Sequence, residues 1–308
     1  RERLQPQRHL PESIKTILQQ LPADTHPMDV LRTGVSALGC LEPESAQNDQ
    51  YQISERLLAV LPSLLLYWYH YQKSGKKIDT EIEADTIAGY FLTLLTGQPA
   101  NKAHQQIMDK SLILYAEHEF NASTFSARVT ASTLSDFYSA VISAIGTLRG
   151  KLHGGANEAA MRMLTQFKSA DEASKWIKEA LARKEKVMGF GHRVYQQGDH
   201  RAHILEAELR KLAEKKGQNK WMEIYDAIKD PMVNEKKIFP NVDYPCGLTY
   251  YLLDLPIDMY TPLFVCSRVT GWSAHFIEQN TNNRLIRPLS RYAGPADRKV
   301  VALEQRTA

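Results

Sequence analysis

Cysteine is scarce in this chain: Cys40, Cys246 and Cys266 are the three among 308 residues, with no CxxC pair. That excludes a disulfide framework and a cysteine-bound zinc, and it suits a reducing compartment. Surplus charge is scarce too. Lys and Arg number 38 against 35 Asp and Glu, a net charge of +3 with no block of five like charges, so no nucleic-acid surface is expected and any anionic partner must be held by a few local groups. Long apolar runs are missing. The most hydrophobic stretch, "LLAVLPSLLLYWYHY", contains Pro62 and turns aromatic and polar before the roughly 18 residues that a membrane span needs. It reads as a buried helix. No signal peptide is visible in a chain that opens at Arg1 instead of methionine, and the expected location is the cytoplasm, or the mitochondrial matrix in a eukaryote.

Alternating strand patterns, internal repeats and low-complexity tracts are also absent, whereas helical spacing recurs throughout. The expected fold is all-α, and 43% hydrophobic content over 308 residues suffices for a core divided between two domains. Ile107, Ser111, Leu114, Tyr115 and His118 share one helical face, which aims His118 toward the core. Leu134, Phe137, Val141, Ile145 and Leu148 form a second stripe, opposed by small residues, so that helix is expected to be buried all round. Thr261 and Pro262 read as N-cap and first-turn proline of a helix on which Phe264, Arg268, Gly271 and His275 share a face. Beyond Gln279 a basic, proline-interrupted tail is expected to extend and wrap something.

Three irregular segments, "KLHGGAN", "GFGHRVYQQGDHR" and "FPNVDYPCG", interrupt the helices, and each carries an ionisable residue. The charged, amphipathic stretch between the first and the last suits a smaller domain, residues 153–252, lying on a larger one formed by residues 1–152 and 253–308. His153 stands against Gly154 and Gly155 just before a helix start, whose partial positive charge keeps an imidazole neutral and able to donate a hydrogen bond. His192 is flanked by Gly189 and Gly191. With Asp199, His200 and His203 it could form a metal site, although the spacing matches no known zinc pattern. Asp243, between Pro240 and Pro245, taken singly is an Asx-turn former, and His118 taken singly is a core histidine. Arg268 is harder to set aside, because buried arginines are almost always paired. With Arg201 and Arg287 it could grip a small di- or tricarboxylate through bidentate forks.

Taken in order, "LYAEHEFNASTFSARV", "LRGKLHGGANEAAM", "KVMGFGHRVYQQGDHRA", "FPNVDYPCG", "TPLFVCSRVTGW" and "RLIRPLSRYAGP" resemble the citrate synthase family, and its bacterial 2-methylcitrate synthase branch most of all. The resemblance covers essentially the whole chain. It implies a large and a small helical domain closing over the substrates of an obligate homodimer, without metal or redox cofactor, coenzyme A thioester being a substrate. It assigns His153 and Asp243 as the acid–base pair on the acyl-CoA and His192 to the keto oxygen of oxaloacetate. His118, Arg201 and Arg268 would bind oxaloacetate, joined by Arg287 from the other subunit, with Phe264 beside the substrates. Val187, Met188, Gly189, Phe190 and Gly191 would receive the adenine of coenzyme A.

The implied reaction condenses an acyl-CoA, propionyl-CoA favoured over acetyl-CoA, with oxaloacetate and then hydrolyses the thioester. Asp243 would take the proton while His153 stabilises the enolate; hinges are expected near Gly154 and Gly247. Family members begin several tens of residues earlier than "RERLQPQRHLPESI", so core surface exposed by a missing leader is expected. Some also carry a basic residue where this chain has Gln196, which leaves the phosphate contacts to coenzyme A open. Two rivals of other classes are a non-catalytic carboxylate-binding helical protein and a metal-dependent hydrolase.

Overall fold

The structure, a computed structural model, describes residues 2–296 and 298–306; among them thirteen α-helices and no strand are found. Seven helices come first: α1 (Glu12–Gln20), α2 (Pro27–Leu41), α3 (Gln50–Ser74), α4 (Ile87–Thr96), α5 (Lys102–Tyr115), α6 (Ala122–Ser132) and α7 (Phe137–Leu148). Local chemistry sets their ends. At the start of α3 the Asp49 carboxylate accepts from the backbone of Tyr51 and Gln52 while the Gln52 amide oxygen accepts from Asp49 N–H, and Gly75 closes the helix at φ 68. The apolar run lies in α3, buried from Ala59 to Trp68, and Pro62 does not break it.

Five helices follow: α8 (Ala156–Leu164), α9 (Ala170–Ala182), α10 (His200–Lys215), α11 (Asn219–Asn234) and α12 (Asp243–Leu252). They pack mainly on one another, α9 on α11, α10 on α11 and α12, and α12 on α8. The last helix, α13 (Tyr260–Thr281), is buried over most of its length and packs on α3, α5, α6 and α7 while also meeting α8. One hydrophobic core runs through all of these elements.

Several sequence expectations are revised. Leu134 does not belong to the α7 stripe: the Asp136 cap starts that helix at Phe137, leaving Leu134 at φ 62 and 78% exposed. Gly146 on the opposite side is exposed, so α7 is not buried all round. Thr261 is not an N-cap but lies one residue inside α13, where its N–H donates to Glu158 Oε1 at 3.1 Å. The acceptor comes from α8, far along the chain. Asp243 is the first residue of α12, not part of a turn. Gly247 lies within α12 and faces the Asn157 carbonyl, which a Cβ would approach to 2.9 Å, so the absence of a side chain there serves close packing. From 283 to 293 the chain forms no helix or strand, with Leu289 and Tyr292 exposed, and the root of the tail is tied to Ser132 by Asn283 Nδ2 and Ile286 N–H.

Glu158→Ala leaves the buried Thr261 N–H without its acceptor. An unsatisfied buried donor costs about 1–3 kcal/mol, so the urea midpoint is expected to fall accordingly; an unchanged midpoint refutes the cross-chain cap.

Candidate active site

The turns before α6, α8, α10 and α12 converge on two adjoining cavities. The outer cleft holds about 780 Å³ and the inner chamber about 100 Å³, and they share His118, Asn121, His153, His192, Asn241 and Asp243. Tyr115, Arg201, Val242, Phe264 and Arg268 complete the inner chamber. Lys151, Lys186 and Arg193 line the outer cleft.

His153 lies in the turn preceding α8, and its Nε2 accepts the backbone N–H of Ser123 at 3.2 Å. A neutral imidazole that accepts at Nε2 carries its proton on Nδ1, so Nδ1–H is the donor left to the cavity. The ring is neutral because burial, then the charge of Arg268 and then His118, pull its pKa down to about 4. Ser123 is itself held in place: its Oγ accepts from Trp272 Nε1 at 3.1 Å and lies 2.8 Å from both Asn121 Oδ1 and His153 Nε2.

Asp243 stands across the shared cavity wall, with Oδ1 accepting the Tyr115 hydroxyl at 2.6 Å. Burial pushes its pKa up to about 6, against the opposing pull of the Tyr115 hydrogen bond and of Arg201. A carboxyl so placed is a stronger base than an exposed one and still ionised at neutral pH.

His192 Nδ1 accepts the N–H groups of Val194 and Tyr195, each at 3.1 Å. Its proton is therefore on Nε2 when neutral, and burial lowers its pKa, with Arg201 adding to the effect and Asp199 opposing it. Gly191, at φ 77, turns the chain into this loop. His118 lies three residues past the end of α5 and not on its core face: Gly271 lets the Ala116 carbonyl approach, accepts no Cβ there, and donates its N–H to it at 3.1 Å. The ring consequently faces His192, with centroids 5.1 Å apart.

The two inner arginines are held differently. Arg201, second residue of α10, pairs edge-on with the buried Asp199 at 3.0 and 2.8 Å, and Asp199 also accepts the N–H of Val242 next to Asp243. Arg268 donates Nε–H to the Tyr115 carbonyl at 2.6 Å and lies over the Phe264 ring, while its buried Nη1 has no partner among the described residues. Burial and then Arg201 lower the Arg268 pKa to about 10, so it stays charged at neutral pH.

Other sequence candidates lie farther out. Met188, Gly189, Phe190 and Gly191 line the outer cleft, whereas Val187 is buried outside that lining. Gly189 has φ 84, and a Cβ there would come within 2.8 Å of Tyr244. Arg287 is on the exposed tail and lines neither cavity. The alternative metal site is not assembled: Asp199 is engaged by Arg201 and Val242, and among the described residues no three His, Cys, Asp or Glu side chains are grouped to hold an ion. Sequence reasoning missed the roles of Tyr115, Asn121, Ser123 and Tyr195. For Asn121 the signal was there, since Asn before "AST" is a helix cap, but its link to His153 was not.

Comparison with known proteins gives the family. The family described as "Citrate synthase, C-terminal domain" matches residues 1–289. A 2-methylcitrate synthase of Shewanella oneidensis is 49% identical over 99% of this chain and 81% of its own length. A citrate synthase of Mycolicibacterium smegmatis is 44% identical over 96% of this chain and 79% of its own. Among solved structures, the ternary complex of carboxymethyl coenzyme A and oxaloacetate with the citrate synthase of Thermoplasma acidophilum superposes with a TM-score of 0.90 at 34% identity, covering 99% of this chain and 82% of that one. By sequence match and by fold, the chain belongs to the citrate synthase family, enzymes that condense an acyl-CoA with oxaloacetate.

Proposed function

We propose that this chain is a 2-methylcitrate synthase, condensing propionyl-CoA in preference to acetyl-CoA with oxaloacetate in a reaction that His153, His192 and Asp243 carry out. The observation that carries the reading is that a neutral imidazole donor, His153, and a carboxylate of raised pKa, Asp243, line the same adjoining cavities. Oxaloacetate enters the inner chamber, where its carboxylates meet Arg201, Arg268 and His118 and its keto oxygen meets His192 Nε2–H. The unpartnered Arg268 Nη1 awaits one of those carboxylates. The thioester enters from the outer cleft over residues 188–191, with Lys151, Lys186 and Arg193 supplying the positive charge for phosphates that Gln196 lacks. Bacterial relatives and the absence of any helix long and apolar enough to cross a membrane among the described residues suit a cytoplasmic enzyme.

Asp243 removes a proton from the carbon beside the thioester carbonyl as His153 Nδ1–H hydrogen-bonds the oxygen that gains charge. One such donor is worth roughly 2.7–4 kcal/mol. The enolate carbon attacks the keto carbon, and His192 stabilises the new alkoxide, which takes up a proton. Water then cleaves the thioester and releases the thiol. Residues 153–252 form the smaller body that closes on the larger, excluding water until the carbon–carbon bond exists. The chain acts as a homodimer, with Arg287 on the exposed tail reaching the partner's chamber.

The acyl preference rests on the 49% identity to a 2-methylcitrate synthase. At saturating oxaloacetate, kcat/KM for propionyl-CoA is expected to exceed that for acetyl-CoA; a methylene is worth about 1–3 kcal/mol in an apolar pocket, and a ratio favouring acetyl-CoA reverses the assignment. Asp243 must be ionised to accept a proton, so kcat/KM is expected to fall as pH drops through about 6. Because the Tyr115 hydroxyl favours the ionised form, Tyr115→Phe raises the Asp243 pKa and moves that acid limb to higher pH; movement to lower pH contradicts the assignment. Asp243→Asn should lower kcat by about 10²–10⁴. For the shared site, mixing Arg287→Ala with His192→Ala protomers is expected to restore activity that neither has alone, and no recovery after exchange argues against it.

A further inference from the structure

Tyr195 touches three of the groups assigned above to oxaloacetate. Its hydroxyl is 3.1 Å from His118 Nε2, its ring stacks on His192 with centroids 4.6 Å apart, and the Arg201 guanidinium lies 5.8 Å from the ring centroid. The segment that carries it is bounded by two left-handed glycines, Gly191 at φ 77 and Gly198 at φ 111, and is exposed from Arg193 to Gln197. The N–H groups of Val194 and Tyr195 both donate to His192, so the loop is fastened to the residue that it covers.

A carboxylate or carbonyl oxygen can hold His118 Nε2 only by accepting its single N–H, and one N–H has one well-aligned acceptor. The Tyr195 hydroxyl and a substrate oxygen therefore cannot both hold His118 Nε2. We propose that Tyr195 is a built-in competitor for the keto-acid subsite: its hydroxyl occupies His118 in the empty enzyme and must be displaced before oxaloacetate binds. The hydroxyl keeps the His118 ring in its binding orientation while the chamber is empty, at the expense of affinity. Apparent affinity is reduced by the fraction of molecules whose site is already taken. The glycine bounds allow the segment to give way, and Tyr195 packs on His118 and His192 and not in the hydrophobic core.

The proposal rests on oxaloacetate entering the inner chamber, and calorimetric titration of the purified protein with oxaloacetate, without acyl-CoA, tests both separately. Tyr195→Phe keeps the ring and removes the hydroxyl, on an exposed loop where folding is not at stake. Loss of a competing neutral hydrogen bond should tighten the oxaloacetate Kd roughly two- to tenfold. The KM for oxaloacetate should fall in parallel, with the KM for acyl-CoA unmoved. An unchanged or weaker Kd overturns the proposal, a weaker one making Tyr195 a ligand instead. Arg268→Gln, checked for an intact melting transition, should abolish binding. If that variant binds oxaloacetate like the unaltered chain, the chamber assignment fails; if it loses binding while Tyr195→Phe gains nothing, the competitor role alone fails.

Discussion

The backbone N–H of Ser123, aimed at His153 Nε2, decides what this site can do. It commits the imidazole to accepting at one nitrogen and so leaves a donor at the other. Burial and Arg268 then remove the option of a charged ring. A protonated His153 would add a third positive charge beside Arg268 and Arg201, and would bind a carboxylate as readily as a carbonyl. The neutral donor discriminates: its hydrogen bond strengthens as charge moves onto an oxygen, which is the property that lowers a barrier instead of merely binding a substrate. Ser123 can hold this role because Asn121 and Trp272 fix its hydroxyl from either side.

Asp243 shows the complementary compromise. Desolvation alone would push its carboxyl toward a protonated, useless state, and the Tyr115 hydroxyl and Arg201 act in the opposite direction. The result is a base near 6, weakly solvated and still ionised at neutral pH. The same Tyr115 whose hydroxyl moderates the base lends its backbone carbonyl to Arg268. One residue at the end of α5 thus couples Arg268 to Asp243.

The sequence announces those features whose cause is local. Helical spacing placed Phe264 and Arg268 on one face of α13, and the glycines around His192 signalled the turn that exposes it. The charged, amphipathic stretch between "KLHGGAN" and "FPNVDYPCG" announced the helical character of α9, α10 and α11. What stayed hidden depends on partners distant in sequence. Glu158 caps α13 from 103 residues away, Ser123 reaches His153 across 30, and Tyr115 reaches Asp243 across 128. A helical wheel extended α5 through His118, but a glycine on α13, admitting the Ala116 carbonyl, turns the chain out of that register. Tyr115 accordingly read as core packing, although its hydroxyl belongs to the site.

Charge balance explains why the inner chamber suits a dicarboxylate. Asp199 neutralises Arg201 through two hydrogen bonds and fixes the backbone beside Asp243, so this arginine is oriented before any ligand arrives. Arg268 has no carboxylate of its own; it makes one hydrogen bond to a carbonyl and leaves a buried nitrogen unpaired. A buried unpaired donor on a charged group is destabilising, and its pKa, pulled down to about 10 by burial and by Arg201, records that cost. An incoming carboxylate relieves it by pairing, so part of the binding free energy is stored in the empty fold. A neutral ligand of the same shape would leave the guanidinium as exposed to its own desolvation as before, and that difference selects for charge where a 100 Å³ chamber selects for size.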